Sequence, residues 1–438
     1  MKFLAARFSL ISVCFLLWAP VLAYCGGNES PGYTGPGSCS SSSCHGGVQP
    51  RTDSSVLQNE YSTWAVQDKH SRAFSALSSE IGKRIGRNLN VQPATSTRCA
   101  GCHSLDVPEN QKARTFDAND GVSCENCHGP ASNWLGPHTA RDGNYQKTVA
   151  LGLYDTRDLI KRNEKCLSCH LGDGTNTVDH EMIAAGHPDL YFEIESFSAV
   201  EPRHWKEPFP NDPAIQVRTL AVGQAVQLRE WLRRVARDAS HGWPEYADLD
   251  CIACHHSLTA AKESWRQERG YAARKPGNPP WNASRFAVLE PIALQLDAAN
   301  SRQLDRDVAR VSQLVNDTRS DRAEIAAAAG EAANTADRLA RVLVTINLDA
   351  SSALKVIGAV CADADSIANQ GERAAEQAGM VVNSLFTAYV QGRKPGSDTR
   401  IQAAIENLYK QFENPSAYNP DTFARGLRGV GNLIGGQQ

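Results

Sequence analysis

Apolar residues recur at helical spacing through the last third of the chain. A period of three to four residues places them along one face of a helix. This pattern predicts a bundle of four or five helices over 285–435. The stripes that define it are Leu304, Val308, Val311, Leu314 and Val315; Ala336, Leu339, Leu343 and Ile346; Val382, Leu385, Phe386 and Tyr389; and Ile401, Ile405, Leu408 and Phe412.

The apolar pattern is weaker before this bundle. A helical stretch is predicted over 61–77, with Trp64, Phe74 and Leu77 as its apolar contacts. Glycine, serine and proline dominate 24–50, a composition typical of a mobile lead-in.

Breaker residues also divide the chain further along. Three prolines within 270–284 exclude regular structure and indicate a linker. We therefore predict one domain over 24–269 and a helical bundle domain over 285–438. A docking or oligomerisation module and a lid over the first domain are equally compatible with the bundle.

The first 23 residues are typical of a signal peptide. A short basic start precedes an apolar run over 8–18, and cleavage is predicted after Ala23. The run is shorter than the roughly 20 apolar residues of a membrane span. The pattern predicts export to the periplasm or an equivalent compartment without a transmembrane anchor. A lipid anchor at Cys25 is the alternative.

Composition narrows the range of functions. The 438 residues include 45 basic and 48 acidic ones, a formal net charge of −3. This balance argues against a nucleic-acid partner, which would favour a basic stripe. The unusual feature is the combination of thirteen cysteines with twelve histidines.

Ten of the cysteines form five pairs, and a histidine directly follows each pair. Four pairs have the C-x-x-C-H spacing of covalent c-type haem attachment, and the first has a four-residue spacer. The two thiols would form thioethers with the haem vinyl groups, and the adjacent histidine would be the proximal iron ligand. The five motifs are Cys39, Cys44 and His45; Cys99, Cys102 and His103; Cys124, Cys127 and His128; Cys166, Cys169 and His170; and Cys251, Cys254 and His255.

Zinc knuckles and disulfides are the competing interpretations of these pairs. Neither requires a histidine immediately after every second cysteine, so five such histidines favour five covalent c-type haems. Outside the motifs, Cys25 and Cys361 are candidates for a disulfide in the exported chain.

Seven further histidines are candidates for the distal iron positions. Ligation of each iron by two histidines saturates the metal, so that electrons pass without substrate binding. One iron with an open sixth position stays an alternative. The candidate distal ligands are His70, His138, His180, His187, His204, His241 and His256.

Two segments resemble the cytochrome c-554 family of tetrahaem electron carriers. They are the run CAGCH…GVSCENCHGPASNWLGPH and the segment WAVQDKHSRAF, within a resemblance that extends over 39–187 at most. The family's carriers accept electrons from hydroxylamine oxidoreductase. The resemblance implies that His70 is a distal ligand, that His138 ligates the haem of the first motif, and that His103 belongs to an open iron.

This chain departs from the small carriers of that family. It has a longer spacer in its first motif, a fifth motif and a C-terminal region that they lack. The segment AAGHP…EPRHW…WPEYADLDCIACHHSL resembles larger pentahaem relatives. The resemblance therefore does not extend to one specific partner protein.

Together these features predict a mainly α fold. Short helices and loops would wrap around packed haems, and the helical bundle would follow. The predicted function is electron transfer with redox protein partners, other haem proteins among them. The alternative is an oxidoreductase acting on a small nitrogen or sulfur compound at one five-coordinate haem. The C-x-x-C-K motif that marks the catalytic haem of multihaem nitrite reductases does not occur in the sequence.

Overall fold

The fold was analysed in a computed structural model of the chain. It describes residues 32–54, 56–206, 212–251, 254–255, 281–349, 351–391, 398–414 and 417–435. Helices dominate these residues, and isolated bridges are the only β pairing among them. The predicted mainly α fold is confirmed.

Nine short helices, joined by turns and loops, form the part of the chain that carries the first four cysteine motifs. Side-chain caps begin several of them. Asp158, for example, accepts hydrogen bonds from the Ile160 and Lys161 amides at the start of α7. The helices are α1 Glu60–Gln67, α2 Ala73–Ala76, α3 Glu80–Leu89, α4 Thr97–His103, α5 Cys124–His128, α6 Tyr145–Ala150, α7 Leu159–Leu167, α8 His180–Ala185 and α9 Ile194–Val200.

Longer helices form the rest of the described chain. The longest, α10, packs most extensively against α13. Buried alanines such as Ala329, Ala332 and Ala336 on α13 let the two backbones approach closely. The helices are α10 Pro213–His241, α11 Ser284–Leu296, α12 Ala298–Val315, α13 Arg322–Thr345, α14 Ser352–Ala362, α15 Ala364–Asn369, α16 Glu372–Val390, α17 Thr399–Tyr409 and α18 Pro420–Gly435.

One hydrophobic core extends from α7 to α18. Its buried members run from Leu167 to Ile434, and Leu220, Val226 and Leu289 among them are fully buried. Among the described residues, Leu159 is the first along the chain that packs against this core. The helices that carry the first three cysteine motifs therefore lie outside it.

The C-terminal part contains more helices than the apolar pattern predicts. Eight helices, α11 to α18, occupy the described part of 284–435, against the predicted four or five. The four predicted stripes fall mainly on α12, α13, α16 and α17, and the pattern assigned no stripe to α11, α14, α15 or α18. Cys361 on α14 is buried in the core, and its predicted disulfide partner Cys25 lies outside the described residues.

The helical stretch predicted over 61–77 is interrupted at Asp68. The Asp68 backbone is extended, which ends α1, and its carboxylate accepts a hydrogen bond from the His70 amide at 2.9 Å. His70 consequently lies on a 3-10 turn, Lys69–Arg72. An aspartate competes with the helix by such local hydrogen bonds, and this makes it a helix boundary.

The lead-in before the first motif is held in place from residue 33. The Glu125 carboxylate on α5 accepts hydrogen bonds from the Thr34 amide at 2.9 Å and the Gly35 amide at 2.7 Å. Tyr33 forms a single parallel bridge with Lys112. The expected mobility of 24–50 therefore does not extend to these described residues.

Most of the predicted linker lies outside the described residues, and the domain division stays a prediction. Its described end is tied to the segment after α10, since Trp281 bridges to Leu249 and the Asn282 amide donates to the Asp248 carbonyl at 3.0 Å. Across the described ranges, every helix is too short or too polar to cross a membrane.

Candidate haem-binding site

The cysteine motifs occupy helical turns. One forms the end of α4, another is the whole of α5, and a third runs from α7 into the turn Ser168–Gly172. Two cysteines three residues apart on a helix lie on the same side, so both thiols can reach one planar group. The first motif continues from the turn Pro36–Cys39, and the last follows α10.

Four of the five proximal histidines face a histidine from a distant part of the chain. The ring centres lie 6.3 Å apart for His45 and His138, 6.2 Å for His170 and His70, 6.4 Å for His103 and His187, and 6.1 Å for His255 and His180.

This separation fits two imidazoles on opposite sides of one metal. With metal–nitrogen bonds of about 2.0 Å and nitrogens about 1.1 Å from their ring centres, the centres are roughly 6.2 Å apart. All four pairs have centres 6.1–6.4 Å apart. The rings therefore fit an iron between them, and each pair contains the histidine of one cysteine motif.

Hydrogen bonds at Nδ1 fix several of these rings. The Nδ1 atom of His103 donates to the Ala73 carbonyl at 2.9 Å, and that of His187 donates to the Pro188 carbonyl at 2.7 Å. The Nδ1 atom of His138 donates to the Leu135 carbonyl at 2.5 Å. Such a bond fixes the tautomer and leaves Nε2 free to bind a metal.

In two other rings, the Nδ1 hydrogen is accepted by a carboxylate. The Nδ1 atom of His45 donates to Glu60 at 2.9 Å, and that of His70 donates to Asp68 at 3.1 Å. Each carboxylate raises the pKa of its histidine, chiefly through this hydrogen bond. These two acidic residues were not identified from the sequence, although Asp68, two positions before His70, was a usable signal.

Desolvation keeps two of the proximal histidines neutral, which is the form that binds iron. Together with a smaller contribution from the nearby His70, it lowers the pKa of His170 to about 4. It also lowers the pKa of His128 to about 4, with a further contribution from His204. His128 forms no ring contact of the paired kind with another histidine among the described residues. His204 is the candidate distal histidine on its side.

The other candidate histidines have different surroundings. His241 is exposed at the end of α10, where its Nδ1 atom donates to the Arg237 carbonyl at 2.8 Å. His256 lies outside the described residues. The resemblance implied an open iron at His103, whereas the structure places His187 opposite that histidine.

Cysteines of different motifs lie next to each other. Interaction between the Cys39 and Cys124 thiols lowers the pKa of Cys39 and raises that of Cys124. Interaction with the Cys102 thiol lowers the pKa of Cys169 to about 7, and the Cys169 sulfur lies 4.0 Å from the Gly101 carbonyl oxygen. The first motif therefore adjoins the third, and the second adjoins the fourth.

Two further contacts connect the remaining cysteine motifs. Cys127 and Cys166 interact electrostatically, which places the third motif beside the fourth. His180 begins α8 and His187 follows its end, and they face the fifth and second motifs respectively. These contacts link the motifs in the order first, third, fourth and second, and α8 connects the second motif to the fifth.

One group of possible metal ligands includes a paired histidine. Ligand atoms of Asp68, His70 and Glu201 all lie within 4.8 Å of one another. The His70 ring already faces His170, and Asp68 is bound to its Nδ1 atom. The group therefore belongs to the surroundings of the His70–His170 pair and does not form a separate cation site.

Comparison with known proteins identifies the first part of this region. Residues 39–129 match the family described as cytochrome c554 and c-prime. Cytochrome c-554 from Nitrosomonas europaea is 29% identical over 116 residues, which cover 23% of this chain and 48% of that protein. The matched segment thus spans about half the length of this curated relative. The chain has no significant match among solved structures.

The matched segment contains the first three cysteine motifs, together with His70 and the α1 and α5 helices that surround it. It ends just after His128, so the fourth and fifth motifs and the C-terminal helices lie beyond it. Residues 39–129 are therefore similar to the cytochrome c-554 family.

Proposed function

We propose that this protein is an exported electron-transfer cytochrome that carries five covalent c-type haems. It would work in the periplasm or an equivalent compartment and exchange electrons with redox proteins. The observation that carries this proposal is the set of four histidine pairs, each with ring centres 6.1–6.4 Å apart and each containing a motif histidine.

Each iron is assigned two histidines in this proposal. The axial pairs are His45 with His138, His103 with His187, His128 with His204, His170 with His70, and His255 with His180. Saturated irons favour electron transfer over substrate binding, because no coordination position is left for a substrate. The row of adjoining motifs supports the same function, since electrons can pass between neighbouring groups.

The distribution of the hydrophobic core also supports the proposal. The buried members of the core begin at Leu167, and no described residue before Leu159 packs against it, so the described segments around the first three motifs contribute little to it. In a folded protein these segments need another apolar interior. Porphyrin rings held by the cysteines would supply it.

The alternative is an oxidoreductase that acts on a small nitrogen or sulfur compound at a five-coordinate haem. The position that favours this alternative is His128, whose ring faces no other histidine ring in the described part of the chain as the four pairs do. An open iron there would bind the compound directly.

Haem content and spin state together test the proposal. Pyridine haemochrome analysis of the purified full chain should give five haems, and its spectra should be those of low-spin iron. Fewer haems would contradict the five-site assignment. A high-spin signal that disappears with nitric oxide or cyanide would favour the enzyme.

The location can be tested separately. Expression with and without residues 1–23 in a host that matures c-type cytochromes outside the cytoplasm should give haem only with those residues. Haem attachment to the shortened chain would contradict export through this segment.

A further inference from the structure

The histidine pairs differ in the group that accepts the Nδ1 hydrogen of their rings. In the first and fourth motifs, one axial histidine of each pair donates its Nδ1 hydrogen to a carboxylate, Glu60 or Asp68. At the second motif, both His103 and His187 donate to backbone carbonyls. The surroundings therefore fall into two electrostatic classes.

Both carboxylates are fixed in place by the backbone. One Glu60 oxygen accepts the His45 hydrogen, and the other accepts the Leu57 amide at 2.8 Å. Asp68 accepts the His70 amide at 2.9 Å and is only 4% exposed. These bonds orient the carboxylates toward the rings, so the contacts are built into the fold.

A carboxylate partner makes an imidazole a stronger electron donor than a carbonyl partner does. The negative charge draws the Nδ1 hydrogen away from the ring and increases the basicity of the ligating nitrogen. A more basic axial ligand stabilises ferric iron relative to ferrous iron, because the ferric ion carries the larger charge. Hydrogen bonding around the ligands is one of the factors by which a protein sets a haem potential.

We propose that Glu60 and Asp68 are positioning residues that lower the reduction potentials of the haems ligated by His45 and His70. Those potentials then lie below that of the haem between His103 and His187. The inference rests on the proposed function, since it requires an iron within each pair. It predicts the direction in which electrons would pass between these haems.

The direction follows from the order of the motifs. In each transfer, one ferrous iron is oxidised and its ferric neighbour is reduced, and no bond is formed or broken. The Cys169 sulfur, in the motif of His170, lies 4.0 Å from the Gly101 carbonyl oxygen in the second motif, so the haem at His70 would adjoin the haem at His103. Electrons would therefore pass downhill toward the second motif, which adjoins the fifth motif through α8.

Neutral amide variants test this assignment. Glu60→Gln and Asp68→Asn keep a hydrogen-bond acceptor but remove its charge. In each variant, one of the five potentials should rise, with about a tenfold change in the ferric-to-ferrous equilibrium. For a one-electron couple, tenfold corresponds to about 59 mV. Redox potentiometry, with low-spin paramagnetic resonance signals to identify the haem, measures this shift.

Matched controls separate local contacts from general charge effects. Glu80→Gln and Asp53→Asn make the same changes at carboxylates that pair with Lys83 and Arg51 instead of a histidine. These controls should leave all five potentials unchanged. Equal shifts in the controls, an unchanged potential in either amide variant, or a fall in potential would overturn the proposal.

Charge-retaining variants guard against a purely structural effect. Glu60→Asp and Asp68→Glu keep the negative charge at a changed distance, and their potentials should lie closer to the wild-type values than those of the amide variants. If they shift as far as the amide variants, the carboxylates act only structurally. A wild-type protein with fewer than five haems would instead contradict the proposed function.

Discussion

At the scale of single residues, His187 decides whether the second motif holds a closed or an open iron. Its ring centre is 6.4 Å from that of His103, and its Nδ1 atom is held by the Pro188 carbonyl. We expect His187→Ala to convert one low-spin haem to high spin, because alanine leaves the sixth position free. Absorption spectra should then change on addition of carbon monoxide or cyanide.

The control for this change is His241→Ala. His241 is exposed and bonded only to its own helix in the described contacts, so its removal should leave the spectra of all haems intact. A fully low-spin spectrum in the His187 variant would remove this residue from the axial ligands.

At the scale of helices, a buried cation joins three elements. Arg229 on α10 is 1% exposed and pairs with Glu164 on α7 at 2.5 Å and with Asp337 on α13 at 2.5 Å. It also pairs with Glu230 at 2.7 Å. The network connects the helix that carries Cys166 to the C-terminal helices.

We expect Arg229→Ala to lower the free energy of unfolding by about 3 kcal/mol, because it leaves carboxylates without their cation and opens a cavity. Denaturant unfolding followed by circular dichroism at 222 nm measures this loss. The control is Arg233→Ala, whose side chain pairs with Glu230 but is 44% exposed. Its effect should stay below about 1 kcal/mol. Equal losses in the two variants would contradict a special role for the buried network.

At the scale of the whole molecule, the continuous core joins α10 to the helices that follow it. Leu220, Val226 and Leu228 on α10 are fully buried within this core. A chain that ends at residue 280 would expose these side chains to water, so we expect it to aggregate or be degraded. Size-exclusion chromatography and haem content, compared with the full chain, measure the outcome.

A soluble, monomeric, five-haem product of that truncation would show that residues 24–269 form an independent domain. Such a result would support the division made from composition alone. It would also show that the contacts between α10 and α13 are dispensable for folding.

The sequence alone identifies features that depend on residues close together in the chain. The five thiol pairs and their neighbouring histidines follow from spacing alone, and most apolar stripes of the C-terminal region are buried on helices. Leu304, Leu339 and Leu385, for example, are fully buried.

Contacts between residues that are far apart in the sequence could not be predicted from spacing. The His255 ring faces that of His180, the first residue of α8, and sequence spacing carries no information about such a contact. The roles of Glu60 and Asp68 depend on which nitrogen of a ring faces which oxygen. The break at Asp68 falls in the polar run 67–72, between Trp64 and Phe74, where the apolar pattern marks no boundary.

The histidine pairs connect residues that lie far apart in the sequence. Each joins positions roughly 75 to 100 residues apart, and the four intervals overlap along the chain. With an iron in every pair, each haem would cross-link the chain and close a long loop. In the chain-entropy treatment of cross-links, a loop of 100 residues is worth about 4.7 kcal/mol. Because the loops overlap along the chain, a loop whose axial bond is broken is still restrained by the neighbouring cross-link. Slow, stepwise denaturation is the consequence.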